Sequence, residues 1–87
     1  MTVLKEINQG YEIIASEAYR TDNTGREEQI VLGRMETRLG MMFVTWERIK
    51  HPYSIGNKRY DYFWGHYFDD GRKAFADYHR RLLDKYE

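Results

Sequence analysis

The chain has 87 residues, which is enough for one small domain near the lower limit of what folds on its own core. It carries 14 Lys and Arg residues against 14 Asp and Glu residues, and this balance argues against a dedicated nucleic-acid binder, which usually has a basic excess. Cysteine is absent, which excludes disulfides and thiolate metal sites. Because no stretch reaches the length of a membrane span and residues 1–10 hold no long apolar run, we expect a cytoplasmic protein without a membrane partner.

The N-terminal part of the chain predicts an ambiguous segment followed by a strand. Residues 1–10 fit one or two helical turns between a Thr2 cap and a Gly10 stop, or equally a loose arm. Residues 11–20 are rich in β-branched and aromatic side chains and contain no Gly or Pro, so they predict the first strand.

The middle of the chain predicts two further strands. Asp, Asn and Gly in residues 21–26 favour a turn, after which residues 28–36 predict the second strand. A short turn over residues 37–40 leads into the third strand, residues 41–48. Residues 49–58 contain Pro52 and the pair Gly56-Asn57, and they predict the longest loop of the chain.

The most unusual segment is residues 60–68, in which six of nine side chains are aromatic. Strand alternation predicts one face with Tyr60, Tyr62, Trp64, His66 and Phe68, and an opposite face with Phe63 and Tyr67. A β-bulge at Gly65 would exchange the two faces beyond it. The sequence leaves open which face of the aromatic strand lies under the helix, and whether Trp46 and Trp64 are core residues or contact residues.

After residue 68 the pattern changes to a helical period. Asp69 or Asp70 can cap a helix over residues 71–86 and complement its positive end. An apolar stripe recurs at spacings of three and four residues and contains Ala74, Phe75, Tyr78, Leu82 and Tyr86. The other side is charged and contains Lys73, Asp77, Arg80, Arg81, Asp84 and Lys85, so that Asp77 can pair with Arg80 or Arg81.

Together these elements predict a single α+β domain over residues 1–87. It consists of an antiparallel β-meander of three to four strands with one C-terminal helix packed on one face. The sequence offers no second layer for the other face of the sheet. Aromatic side chains on that face would form an exposed apolar patch of the kind that marks an interface.

Two segments carry a resemblance to a known group of proteins. Residues 43–47 read Phe-Val-Thr-Trp-Glu, and residues 62–68 read Tyr-Phe-Trp-Gly-His-Tyr-Phe, followed by Ala74, Tyr78 and Arg81. Over residues 30–82 the chain resembles small proteins of bacterial prophages and integrative mobile elements to which no activity is assigned. The resemblance implies a mobile-element accessory protein. By analogy with other small proteins that mobile elements encode, such a protein would bind and block a larger host machine, as anti-CRISPR proteins do.

Motifs of catalysis and metal binding are weak. His51, His66 and His79 lie on three different elements, and no pair has the spacing of metal ligands on one element, so we predict no metal site. Asp69 and Asp70 are explained by helix capping, and neither a nucleophile elbow nor a glycine-rich phosphate loop is present. We therefore predict a protein that is not an enzyme and has no cofactor.

Two binding hypotheses remain. The first is a protein-binding module that captures a larger partner or associates with itself through Tyr62, Phe63, Trp64 and Tyr67. The second is a nucleic-acid or nucleotide binder that uses the basic segment of residues 48–59 together with stacking aromatics. The basic residues of that segment would hold phosphates in the second hypothesis and steer a protein partner in the first; they are Arg48, Lys50, Lys58 and Arg59.

Overall fold

The computed structural model describes residues 6–55 and 58–86, including all side chains in these ranges except those of Ser54, Ile55 and Lys58. In this part of the chain, five antiparallel strands form one curled sheet in sequential order, and one helix follows them. The elements are β1 (Ile7–Asn8), β2 (Tyr11–Thr21), β3 (Glu27–Thr37), β4 (Gly40–Ile55), β5 (Lys58–Phe68) and α1 (Gly71–Lys85). The predicted α+β class is confirmed. The prediction of three to four strands is wrong, because the short strand β1 adds a fifth.

Strand β1 lies in the segment for which the sequence allowed a helical turn or a loose arm. Gln9 and Gly10 have φ values of 53° and 84°, which reverse the chain between β1 and β2. This turn lets Asn8 pair with Tyr11 in an antiparallel ladder. Residues 1–5, which belong to the same predicted segment, lie outside the described residues.

The long loop predicted over residues 49–58 is also wrong, because β4 continues to Ile55 and β5 begins at Lys58. The two strands supply each other with ladder partners, down to the pair Ile55 and Lys58. Pro52 lies in the stretch between Lys50 and Ile55 where the register shifts, which suits a residue without a backbone N–H. The turn predicted at Gly56-Asn57 lies outside the described residues.

The two shorter turns are confirmed and have clear physical causes. In the β2–β3 turn, the Asp22 carboxylate accepts hydrogen bonds from the backbone N–H groups of Thr24 (2.8 Å) and Arg26 (3.2 Å). In the β3–β4 turn, the Thr37 hydroxyl donates to the carbonyl of Gly40 at 2.7 Å. These turns set the register of β3 against both of its neighbours.

Helix α1 begins where the sequence predicts. Asp70 is the N-cap, and its side chain accepts a hydrogen bond from the backbone N–H of Arg72 at 2.8 Å. The predicted apolar stripe is wrong at Phe75 and Tyr86, which are exposed, because the packed side of the helix is centred between Ala74, Tyr78 and Leu82. Within the described ranges, no helix combines the length and hydrophobicity that a membrane crossing needs.

Each face of the sheet has its own hydrophobic core. On the face that α1 covers, here called the helix face, Ile30 and Leu32 of β3 pack against the helix. On the opposite face, here called the far face, the core consists of Tyr11, Val31, Val44 and Trp46. No helix of the described residues covers the far face, so its side chains bury one another on the curled sheet. The bare apolar patch predicted for that face is therefore largely absent.

Candidate binding surface

The ladder between β4 and β5 is irregular opposite Trp46. At this point β5 carries one residue more than β4, because Trp64 and Gly65 together lie opposite Trp46. One extra residue on one strand of an antiparallel pair is a β-bulge. The bulge considered at Gly65 from the sequence is thus confirmed.

The uninterrupted alternation predicted for the aromatic strand is wrong, because a two-residue period does not continue through a bulge. The ladder partners assign the side chains to faces. Tyr60, Tyr62 and Tyr67 share the far face with Trp46, whereas Phe63, His66 and Phe68 share the helix face with Thr45. The bulge therefore returns aromatic rings to both cores and leaves Trp64 at the irregular position itself.

Glycine is required at position 65 because two aromatic side chains approach its backbone. A Cβ atom there would lie 2.9 Å from Nε1 of Trp46 and 3.0 Å from the hydroxyl oxygen of Tyr67. Contacts this short force the neighbouring groups to move. The bulge thus places glycine against Trp46 and Tyr67 on the far face and places Trp64 beside it.

Trp64 has an unusual backbone conformation and an unusual exposure. Its φ is +55°, in the left-handed region, where a residue with a side chain pays about 1–2 kcal/mol. Its side chain is nevertheless 74% exposed, so the burial of the indole does not offset that cost. Such an outlier persists only where the surrounding structure imposes it, and such sites cluster where proteins bind or react.

Arg81 of α1 holds the bulge in place. One guanidinium nitrogen donates to the carbonyl oxygen of Trp64 at 2.6 Å, and another donates to the hydroxyl of Thr45 at 3.0 Å. The bulge carbonyl is thereby tied to the helix and to β4. Burial lowers the pKa of the Arg81 guanidinium from its ordinary value, although nearby Asp77 and Glu47 favour its charged form.

Asp77 joins the helix to the sheet beside this clamp and is only 3% exposed. Its carboxylate accepts hydrogen bonds from Thr45 at 2.6 Å and from Arg80 at 2.7 Å, and it lies 2.9 Å from Nδ1 of His66. Burial raises the pKa of this carboxyl, but hydrogen bonds from Thr45, His66 and Arg80 outweigh burial and hold the pKa below its usual value. The predicted pairing with Arg80 is confirmed, but the prediction that Asp77 lies on the exposed side of the helix is wrong.

A groove of about 260 Å³ runs along the end of the helix face that α1 leaves uncovered. Its floor includes Ile49, and Phe63 and Trp64 line it from β5. The aromatic ring of Tyr19 and two carboxylates, those of Glu28 and Glu47, also line it. Phe63 is 42% exposed, so Phe63 and Trp64 together form an accessible aromatic pair, here called the bulge surface.

The structure brings two of the four predicted aromatic site residues together and separates the other two from them. Phe63 and Trp64 form the bulge surface, whereas Tyr62 and Tyr67 lie on the far face and contact Trp46. Tyr62 is half-buried there, and Tyr67 is 55% exposed. The assignment of these four residues to partner binding stays a prediction.

The predicted basic residues do not form one exposed cluster. The guanidinium of Arg48 is buried on the far face, where it donates to Gln29 at 2.7 Å and to Glu6 at 2.6 Å and stacks over the ring of Tyr60. Lys50 lies 4.0 Å from a carboxylate oxygen of Glu27. Arg59 is exposed, and the side chain of Lys58 lies outside the described residues.

The histidines do not converge. His51 lies 2.7 Å from Asp61 within the β4–β5 hairpin, and His66 contacts Asp77 near the helix. His79 lies beside the ring of Tyr78 on α1. Among residues 6–55 and 58–86, no three His, Asp or Glu side chains form a group that could hold a metal ion. The prediction of a protein without a metal site stays a prediction.

Three residues of this region were not recognised as site residues from the sequence. Arg81 and Asp77 were interpreted as exposed helical charges and Glu47 as part of a strand, and the resemblance, which includes Glu47 and Arg81, assigned no role to either. One signal was available, because Asp77 and Arg81 stand three and seven residues after Ala74, on the side of the helix that carries Tyr78. A polar pair on the packed side of a helix predicts hydrogen bonds to the sheet beneath it.

Comparison with known proteins identifies no relative: no protein-family model, no curated protein and no solved structure matches the chain. The resemblance to mobile-element proteins stays a prediction. The geometry of the bulge surface and its groove is therefore the basis for assigning a function.

Proposed function

We propose that this chain is a non-enzymatic binding module that acts by protein–protein contact through the bulge surface, Phe63 and Trp64. The observation that carries the proposal is the placement of Trp64, which combines a φ of +55° with 74% exposure. The strain brings no burial in the free protein. Burial of the indole in a complex would offset this backbone strain, because tryptophan is among the residues that contribute most binding energy.

The surroundings of Trp64 support this role because they hold its backbone fixed. The Arg81 clamp reaches its carbonyl, and Gly65 next to it is enclosed by Trp46 and Tyr67. A contact residue whose backbone is already fixed loses less conformational entropy when it binds than a residue on a mobile loop. Tryptophan on a clamped bulge is thus a pre-organised anchor.

The kind of partner is proposed from the resemblance described above. If the chain is a mobile-element accessory protein, the bulge surface would contact a protein of the host, and blocking a defence machine is one such action. Self-association through the same surface is the alternative within this proposal. Both place Trp64 in a buried interface.

A nucleic-acid or nucleotide site on residues 48–59 is the alternative to protein binding. Arg48 already contacts Glu6 and Gln29, and Lys50 lies near Glu27, so that two of its four cations have partners within the chain. The alternative predicts oligonucleotide binding that weakens steeply with salt. A flat titration at low ionic strength would remove it.

The proposal is tested by capture of proteins from a lysate of the organism that encodes the chain, with matched baits. Trp64→Ala removes the anchor, and Tyr53→Ala removes another exposed aromatic ring (70% exposed) from the segment used by the alternative. We expect one protein that is retained by wild type and by Tyr53→Ala and is lost with Trp64→Ala. Equal retention by all three baits would contradict the role of Trp64.

Self-association is tested on the purified protein by light scattering across a range of concentrations. If the partner is a second copy, wild type should form a dimer and Trp64→Ala should remain a monomer. A monomeric wild type together with no Trp64-dependent partner would overturn the proposal.

A further inference from the structure

We infer that the groove beside Trp64 binds the cationic end of an arginine or lysine side chain supplied by the partner protein. This inference deepens the proposed function and rests on it. It is drawn from the groove as a whole, which joins three aromatic rings to two carboxylates within about 260 Å³.

The aromatic rings of the groove can attract a cation. Tyr19, Phe63 and Trp64 line the groove from two different strands. The face of an aromatic ring carries negative electrostatic potential, which attracts a guanidinium or ammonium group within about 6 Å, and tryptophan is the strongest of the three. The apolar side chain of Ile49 suits the aliphatic stem of such a residue.

The chain itself already places a cation against two residues of this groove. Nζ of Lys85 lies 5.1 Å from the centre of the Tyr19 ring and 2.7 Å from Oε1 of Glu47. The contact raises the pKa of Lys85, chiefly through its hydrogen bond to Glu47. An aromatic ring and a carboxylate of the groove therefore hold an ammonium group together in the free protein.

Each groove carboxylate keeps one oxygen for its contacts within the chain. Lys85 and the Tyr19 hydroxyl both reach Oε1 of Glu47, and Arg20 and Arg26 both reach Oε2 of Glu28. Among the described residues, no hydrogen bond reaches the second oxygen of either carboxylate. A bound cation can use these second oxygens without displacing the cations of the chain.

The same chemistry disfavours an anionic ligand. Arg48 also borders the groove, but its guanidinium is 2% exposed and is held by Gln29 and Glu6 on the far face. A phosphate or carboxylate in the groove would instead meet Glu28 and Glu47, because the cations that contact these carboxylates, Arg20, Arg26 and Lys85, do not line the groove. The partner group that fits is therefore a cation with an apolar stem.

The test uses the full-length, ¹⁵N-labelled protein and a small probe, N-acetyl-arginine amide, followed by nuclear magnetic resonance. Trp64→Phe identifies the Trp64 indole signal. We expect that signal and the amide signals of Phe63 and Ile49 to shift in a saturable way. N-acetyl-citrulline amide, which has nearly the same shape without the charge, should produce no saturable shift.

Charge variants test the two carboxylates against a matched control. Glu28→Gln should weaken binding of the arginine probe by about threefold. Glu27→Gln changes the same charge on the neighbouring residue, whose ladder partner Lys50 lies on the far face, and should leave binding unchanged. Lys85→Met, which removes a neighbouring positive charge that would repel the bound cation, should tighten binding by about twofold.

Different results would contradict cation binding in the groove and the proposed function of Trp64. Equal shifts with the arginine and citrulline probes, no saturable shift with either, or equal weakening by Glu28→Gln and Glu27→Gln would overturn the inference. If a Trp64-dependent partner is still captured in that case, the proposed function stands with another ligand in the groove. Arginine binding without any Trp64-dependent partner or dimer would support the groove and contradict the proposed function.

Discussion

The two tryptophans of this chain lie across from each other on neighbouring strands, yet they have opposite environments. Trp46 is 3% exposed, and the rings of Tyr11, Tyr62 and Tyr67 surround it with centroid distances of 5.3–6.4 Å. Trp64 is 74% exposed and has a left-handed backbone. The bulge at Gly65 produces the difference, since it gives the inward position to glycine.

Trp46 stabilises the domain, whereas Trp64 is available to a partner. Among the described residues one helix covers the sheet, and the far face is buried by its own aromatic rings around Trp46. Trp64 contributes little burial and occupies a strained conformation. Variants at Trp46 should therefore mainly lower stability, whereas variants at Trp64 should mainly weaken binding.

The largest expected effect is at Trp46. Trp46→Ala removes the centre of the far-face core and should lower the free energy of unfolding by roughly 3–5 kcal/mol. The measurement is urea unfolding followed by circular dichroism. A loss below about 1 kcal/mol, the range of an ordinary surface change, would show that Trp46 is not the centre of that core.

The next effect is at Asp77, which links α1 to the sheet beside the Arg81 clamp. Asp77→Ala removes a buried carboxylate and leaves Thr45, His66 and Arg80 without their hydrogen-bond acceptor. It should lower the free energy of unfolding by about 3 kcal/mol. The signals of Trp64 and Gly65 should also shift, because Arg81 shares the hydroxyl of Thr45 with Asp77. Unchanged signals of Trp64 and Gly65 in this variant would show that the Arg81 clamp does not depend on Asp77.

The same residue predicts a pH dependence. Because the pKa of Asp77 in the folded protein lies below its unfolded value, its stabilisation is complete above the unfolded pKa of about 3.9. It is lost as the pH falls through the lower, folded-state pKa. Asp77→Asn should reduce the slope of stability against pH in this acidic range, and an unchanged slope would contradict the assignment. Asp22 and Glu47, whose pKa values are also lowered, should keep some of the slope.

A smaller effect is expected at Gly65. Gly65→Ala places a methyl group against Trp46 and Tyr67 and should cost about 2 kcal/mol by overcrowding the far-face core. Gly40→Ala is a useful comparison, because a Cβ there meets nothing within 4 Å, and alanine would be strained only through the backbone, whose φ is +116°. The variant at Gly65 should shift the signals of the far-face core, and the variant at Gly40 should not.

The smallest effect tests the backbone of Trp64. Glycine tolerates positive φ, so Trp64→Gly should be more stable than Trp64→Ala by about 1 kcal/mol. Phe63, which has an ordinary strand conformation, should show the reverse order, with alanine more stable than glycine. The same order at both positions would mean that Trp64 is not held in the left-handed region.

The sequence predicts most of the fold because its signals are local. Strand-favouring residues indicate β2, β3 and most of β4, Asp22 and Gly25 define a turn, and Asp70 begins the helix. The strand β1 and the extension of β4 to Ile55 were missed, because both depend on pairing with a neighbouring strand rather than on the composition of the segment itself.

The candidate site is less predictable for a related reason. The bulge at Gly65 was considered, but its effect on which ring is exposed depends on the crowding of Trp46 and Tyr67 around the glycine. The roles of Asp77 and Arg81 depend on Thr45, more than 30 residues earlier in the chain. A pattern of charges along one helix does not contain that contact.

The most direct test of the account measures the partner retained per folded molecule of Trp64→Ala, with the folded fraction taken from urea unfolding in the same preparation. We predict that the variant stays folded, with a free energy of unfolding within about 1 kcal/mol of wild type, and that it loses the partner or the second copy. Retention at the wild-type level by the folded variant would contradict the claim that the bulge holds Trp64 in place for binding.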